Sequence, residues 1–449
     1  MNIFLILPNQ LFKESINHIN TNNYNKIIIY EEPHYFSCDI KPNKIKIAYL
    51  RACMRYYYDN IKNKVNINIE YYECKDSNKF LNKKDNYYCY EINDYKLSEK
   101  YKLMNININE IESPMFILNK NDLDKYNKRK GISHATLYEL SKKKLGILEN
   151  IKNQDIYNRF NPKKEVPLNL NLNYINTNNK RYYEEGIEYS LRNQFKEHIG
   201  EPTIETIKIY AINSNDAYEA YERFIKININ NFGLYQDVIQ DNNPFMYHSL
   251  ISPMLNNGLL VPIELIKIIK KYEKKIDIKN YEGYLRQIIG WREYMRYLYI
   301  YKYNELINSN SFNNNNKLSK NWYFATTGIL VIDNEIKKAI KYGYSHHIVR
   351  LMVFLNFMLL SEIKPEDIYK WFMEVISIDA YDWVMISNIY AMGYFSKIGM
   401  RRPYLSSSNY IIKMSNYKKN KEWDIEWDNL FRNFVKSRNI NFYLRSIKK

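Results

Sequence analysis

The sequence predicts an α/β domain at the N-terminus followed by a larger all-helical domain. Two observations carry this. Up to about residue 120, short β-rich runs alternate with helical ones, a pattern that builds parallel sheets. Beyond Asn179, helical periodicity takes over, and all six tryptophans, Trp291 through Trp427, lie in that second part. The boundaries drawn are 1–125 for the α/β domain, 126–180 for a connector and 181–449 for the helical domain.

Taken in order, NIFLIL reads as a buried first strand and KIIIYEE as a second. A helix near Lys46 to Asn63 follows, then the strand VNINIEYYE and a last strand PMFILN. The charged, Asn-rich stretch from Lys120 to Asn179 is expected to wrap the surface, with one helix around His134 to Leu148. After it, only TIKIYAI keeps strand alternation, and SNSFNNNNKLSK is a polar loop between helices.

The 449 residues are 45% hydrophobic, which suits ordinary packed domains and not disorder. Sixty-six Lys and Arg against 49 Asp and Glu leave +17, a charge that points to a polyanion such as nucleic acid, although Asn, Ile, Lys and Tyr bias contributes. MNIFLILPNQLF lacks the basic start and small-residue cleavage site of a signal peptide, and Leu351 to Leu360 is too short to span a bilayer. A soluble, intracellular monomer without membrane contact is expected. Cys38, Cys53, Cys74 and Cys89 form no C-x-x-C pair, so they are expected to be reduced thiols with no metal bound.

Chemistry concentrates in five segments. In PFMYHSLISPMLNNGLLVP, Ser249, Ser252 and Asn256 recur at helical spacing, suited to phosphate or to ordinary capping. In YLRQIIGWREYMRYLYIY, Gln287, Trp291 and Arg292 cluster around Gly290, where a helix or a flat ligand must press close. In GYSHHIVRLMVFLNFML, Ser345 is a candidate N-cap, His346 and Arg350 share a face, and Asp379 in IDAYDWVMISN is the natural partner of Arg350. KIGMRRPYLSSSNYIIKMS interleaves Arg401, Arg402 and Lys413 with Tyr404 and Tyr410, a mixture suited to phosphates and an unstacked base.

Together HSLISPMLNNGLLVP, RQIIGWREYMR, YSHHIVRLMV, DAYDWV and RPYLSSSNYIIKMS resemble the photolyase and cryptochrome superfamily, most closely its prokaryotic (6-4) photolyases with an iron-sulfur cluster. LILPNQLF, EEPHYF and KIKIAYLRACMRYYYD resemble that branch at the N-terminus. The resemblance implies a Rossmann-like antenna domain, a helical FAD-binding domain and light-driven repair of UV-damaged DNA, with a (6-4) lesion favoured over a cyclobutane dimer. The alternative it leaves is a cryptochrome-type blue-light receptor.

Residue by residue, the resemblance places Tyr235, His248, Ser249, Leu250 and Ser252 on the flavin side of the pocket. Gln287, Trp291 and Arg292 would line the space between flavin and lesion, Arg350 and Asp379 would pair beside the ring, and Tyr381 would meet its polar edge. His346 and His347 would supply a proton, Tyr404 and Tyr410 would flank the lesion, and Arg401, Arg402 and Lys413 would hold DNA phosphates. Trp371 and Tyr323 fall on the electron-hopping path, and Gln10 and Glu32 would touch an antenna pigment, in this branch 6,7-dimethyl-8-ribityllumazine.

The chain departs from that pattern in four ways. The cluster cysteines correspond to Val331, Lys418, Lys421 and about Ile425, so no iron-sulfur cluster is expected, and Trp423 and Trp427 should fill the gap. Met385 replaces an acidic residue near the flavin's reactive nitrogen. Phe372, a poor hopping site, follows Trp371. Asn43 stands where the antenna neighbourhood commonly has a histidine.

Overall fold

Five strands of five residues each, rich in Ile and Tyr, form one parallel sheet: β1 Asn2–Ile6, β2 Lys26–Tyr30, β3 Asn68–Tyr72, β4 Asn86–Tyr90 and β5 Asn107–Ile111. The computed structural model describes residues 1–76, 79–128, 133–154, 179–440 and 442–443. The strand order is β3-β2-β1-β4-β5, with Ile3 opposite Lys26 on one side of β1 and opposite Tyr87 on the other. The chain runs outward from β1 through β2 to β3 and then crosses to the other side of β1 at β4, a reversal that opens a crevice beyond the carboxyl ends of β1 and β4.

The structure corrects two strand expectations. PMFILN is not a strand: the backbone N–H groups of Ile117 and Leu118 donate to the buried carboxylate of Glu293, 2.9 and 3.2 Å away. The places on that side of β1 belong instead to β4 and β5. TIKIYAI contributes its first residues to a short helix, Ile204–Ile207, and the rest to turns.

Helix α1, Lys44–Lys62, is covered along most of its length and starts at Asn43, whose side chain accepts from Ile45 N. Helix α2, His134–Leu145, has Ser133 as its N-cap and ends at Gly146 with φ +59°. Much of the connector, 129–132 and 155–178, lies outside the described residues. Helix α3, Lys180–Ser190, then packs along α1 so closely that a Cβ at Gly186 would lie 2.2 Å from the Ala48 carbonyl oxygen. Only glycine permits that approach.

The helical part docks on the sheet's loops through specific contacts. Leu11 N donates to Asn257 O, and Asn257 Nδ2 donates to Tyr49 OH. Gly258, with φ +89°, admits the Phe12 ring where a Cβ would stand 2.9 Å from it. Trp423 and Trp427 are fully buried 6.1 Å apart and cap the region where Lys418, Lys421 and Ile425 are exposed. No helix among the described residues is long and apolar enough to cross a membrane.

Candidate functional site

A cavity of about 640 Å³ opens within the helical part, in the size range of small-molecule sites, roughly 300–1,000 Å³. Three segments wound as π-helix contribute to its wall: Arg286–Trp291, Val349–Leu355 and Ser387–Met392. Each widened turn adds a residue to an otherwise α-helical run and re-aims the side chains beside it. The first explains Gly290. A Cβ there would meet His134 Nε2 at 2.9 Å, so the close neighbour is the imidazole of α2. That ring stacks on Trp291 with centroids 3.9 Å apart.

The loop before Ser252 brings the next polar groups. Asn243 Oδ1 accepts from Phe245 N and Met246 N, and Leu250 takes a left-handed φ of +56°, which turns the chain into the short helix Ser252–Asn256. Ser252 Oγ donates to Asp379 Oδ2 at 2.7 Å, and Asn256 Nδ2 donates to the Asp379 carbonyl at 2.8 Å. Arg350 Nη2 donates to both carboxylate oxygens of Asp379. The expected pair is thus present, with two further donors fixing the acid. Ser345 does not cap the helix, which begins at His347; its carbonyl accepts from Arg350 Nε at 2.6 Å.

Arg292 lies across the cavity wall, its guanidinium over the rings of Trp383 and Phe116 at 4.8 and 4.7 Å. Nη2 donates to Asn256 Oδ1 at 3.1 Å, while Nε and Nη1, like Trp383 Nε1, are buried with no hydrogen-bond partner among the described residues. Burial pushes the Arg292 pKa down to about 9, so the group remains a cation at neutral pH.

Three histidines adjoin the cavity. His248 and His346 stack at 4.9 Å, and His347 stands 5.3 Å from His248 with its Nε2 3.1 Å from Asp237 Oδ1. Burial, aided by neighbouring imidazoles, holds His346 well below the usual histidine range; burial and His347 hold His248 at about 3. His347 is half-exposed and lines the cavity.

Of the residues expected here, His248, Ser249, Leu250, Ser252, Gln287, Trp291, Arg292, His347, Arg350, Asp379, Met385, Tyr404 and Tyr410 line the cavity. Three others do not. Tyr235 stacks on Tyr247 at 5.1 Å, and His346 lies behind His248. Tyr381 turns toward the α/β part, its ring against the Lys46 ammonium at 4.3 Å and Tyr35 at 5.6 Å. Sequence reasoning passed over Asp237, Trp383 and Asn388, all on the wall. Asn388 stands three residues after Met385, a spacing that could have marked it.

The remaining expected residues lie outside this cavity. Trp371 is fully buried beside Phe372, which does reach the wall, and its Nε1 donates to the Trp322 carbonyl with the two indoles 5.5 Å apart. Tyr323 OH donates to Glu374 Oε2. Arg401, Arg402 and Lys413 are exposed. Gln10 and Glu32 sit at the carboxyl edge of the sheet: Gln10 Nε2 donates to Tyr90 O at 2.7 Å, and Glu32 accepts from Lys100 and Tyr101 at 2.6 Å each.

Residues 4–205 match the family model of deoxyribodipyrimidine photo-lyase-related protein. A (6-4) photolyase of Agrobacterium fabrum is 37% identical over 212 residues, 46% of this chain. Over those residues the chain is photolyase-related. The stretch aligned with that enzyme spans 42% of the enzyme's own length. In fold, the photolyase-related chain is similar to a bacterial class III photolyase from Agrobacterium tumefaciens, with TM-score 0.62 at 15% identity, covering 97% of this chain and 86% of that one. It is likewise similar to a cryptochrome of Synechocystis, with TM-score 0.63 at 13% identity, covering 98% and 94%. The family match covers the parallel sheet, and the helical part around the cavity shares its fold with these structures.

Proposed function

We propose that the cavity holds FAD beside an extruded pyrimidine photoproduct and that the protein is a light-driven DNA photolyase, with the (6-4) lesion favoured. One observation carries the reading: Ser252, Asn256 and Arg350 all fix Asp379 in the wall of a cavity where Arg292 and Trp383 still have buried donors to satisfy. Buried donors without acceptors cost free energy, and the phosphates and ring carbonyls of a flavin dinucleotide supply acceptors. The residues present therefore fit the group. Reduced FAD, when bound, supplies the electron that light drives to the lesion.

The rest falls to side chains of this chain. Arg350 and Asp379 neutralise each other and leave one polar edge of fixed geometry for the cofactor ring. Trp291, braced by His134, and the half-buried Tyr404 and Tyr410 offer aromatic faces to an unstacked base, about 1–3 kcal/mol each. His347, held by Asp237, lines the cavity as His248 does and stands where a proton can be passed to an adduct. His346 orients His248 from behind. Arg401, Arg402 and Lys413 are exposed and would clamp flanking phosphates, so binding should weaken as salt rises.

An antenna pigment, 6,7-dimethyl-8-ribityllumazine by resemblance, is assigned to the carboxyl edge of the sheet. There Asn9 Oδ1 and Gln10 Oε1 are buried acceptors without partners among the described residues. The experiment compares two oligonucleotides, one with a (6-4) photoproduct and one with a cyclobutane dimer, under blue light with the flavin reduced. Conversion of the (6-4) substrate supports the reading. Conversion of the dimer alone reverses the lesion preference, and conversion of neither moves the protein to a cryptochrome-type receptor.

A further inference from the structure

We infer that His248, His346 and His347 form a binding site for a divalent transition-metal ion of the Zn²⁺ type. One ring nitrogen from each lies within 4.8 Å of the other two. Two of the rings come from the start of one helix and the third from the loop before Ser252, so the cluster depends on the tertiary fold. Tetrahedral coordination at Zn–N distances of about 2.0–2.1 Å sets ligand nitrogens roughly 3.4 Å apart. His248 and His346 are stacked, so their rings must turn out of the stack for their nitrogens to converge on the ion.

A second observation points to a guest. His346 is 3% exposed, and its Nδ1 has no hydrogen-bond partner among the described residues. Buried polar atoms are normally satisfied, so one left over beside two more imidazoles marks a place where something else can bind. The surrounding charge permits a cation. Arg350 is paired with Asp379, and Lys338 with Glu335 at 2.6 Å. Asp237 lies against His347 Nε2, the carboxylate–histidine arrangement that orients metal ligands.

The donor set also chooses the ion. Three imidazoles suit Zn²⁺, Co²⁺, Ni²⁺ or Cu²⁺, whereas Mg²⁺ and Ca²⁺ require oxygen ligands. Because His248 and His347 line the cavity, a fourth coordination position would face the space assigned to the lesion. Binding itself needs neither flavin nor DNA, so the titration decides this inference whatever the repair assay returns, and an ion held here would compete with proton transfer by His347.

The test is calorimetric titration of Zn²⁺ into the untagged full-length protein, with Mg²⁺ as the comparison ion and Co²⁺ absorption reporting geometry. One Zn²⁺ per chain is expected, with a tetrahedral Co²⁺ spectrum and no heat from Mg²⁺. His347→Gln, at a half-exposed position that tolerates change, should weaken Zn²⁺ binding by about tenfold or more. His346→Gln should do the same, and circular dichroism checks that it folds. His18→Gln, far from the cluster, should bind as the unaltered chain does. Absent Zn²⁺ binding, or equal affinity in the unaltered chain and a folded His347→Gln, overturns the inference.

Discussion

Arg350 and Asp379 are joined through a single guanidinium nitrogen: Nη2 lies 2.9 Å from one carboxylate oxygen and 3.0 Å from the other, while Nε is committed to the Ser345 carbonyl. The arginine therefore ties the start of its own helix to the loop that carries Asp379. Both side chains are largely buried, Asp379 more than Arg350, so each charge depends on the other for most of its solvation.

Asp379→Asn keeps the shape and removes the charge. We expect a loss of about 3 kcal/mol in urea unfolding, the low end for breaking a buried pair because Arg350 retains some solvent. Flavin retained through gel filtration should fall at the same time. Unchanged stability and flavin content would remove the pair from the site.

Gly290→Ala runs against helix propensity. Alanine normally gains about 1 kcal/mol over glycine in a helix. Here the new Cβ meets His134 Nε2 at 2.9 Å and Tyr138 at 3.2 Å, and His134 is held against Trp291. The substitution should destabilise by about 1–3 kcal/mol, as overpacking does, and shift Trp291 fluorescence. A stabilised variant with unaltered fluorescence would contradict the close packing of α2.

The His34–Asp94 pair sets an alkaline limit. Burial opposes protonation of His34, but the hydrogen bond to Asp94 at 2.7 Å and the carboxylate's charge raise its pKa to about 10. A pKa raised on folding gives stability that is complete below the unfolded value near 6.5 and is lost as pH rises through about 10. Unfolding free energy should therefore decline between neutral pH and about 10, and His34→Gln should flatten that decline. Equal slopes in the two proteins would refute the pairing.

Trp371 is expected to relay electrons to the cofactor through its contact with Trp322. Trp371→Phe should slow blue-light reduction of the bound flavin at least about tenfold, a change worth about 1.4 kcal/mol in barrier. Reduction by dithionite in the dark should be unaffected. Equal photoreduction rates in the two proteins would send the path elsewhere among the tyrosines.

What could be read without coordinates followed from local chemistry. Ser252, Arg350 and Asp379 stood out because polar groups in an apolar run need partners, and they found one another. β4 and β5 escaped notice because NYYCY and NINEI carry asparagines that resemble turn signals in a chain full of them. PMFILN passed for a strand because its real partner, Glu293, is far away in sequence. The π-helical turns keep enough helical periodicity to be hidden in it. Tyr235, His346 and Tyr381 sit within two residues of ones that do reach the cavity, and residues so close in sequence still point in different directions.

The most direct measurement is repair of a defined (6-4) photoproduct in an oligonucleotide by the flavin-loaded, fully reduced protein, followed by chromatography in light and in darkness. Restored pyrimidines are expected under blue light, none in the dark, and strong loss of repair in His347→Gln. An unaltered lesion after prolonged illumination, with reduced flavin demonstrably in place, would contradict it.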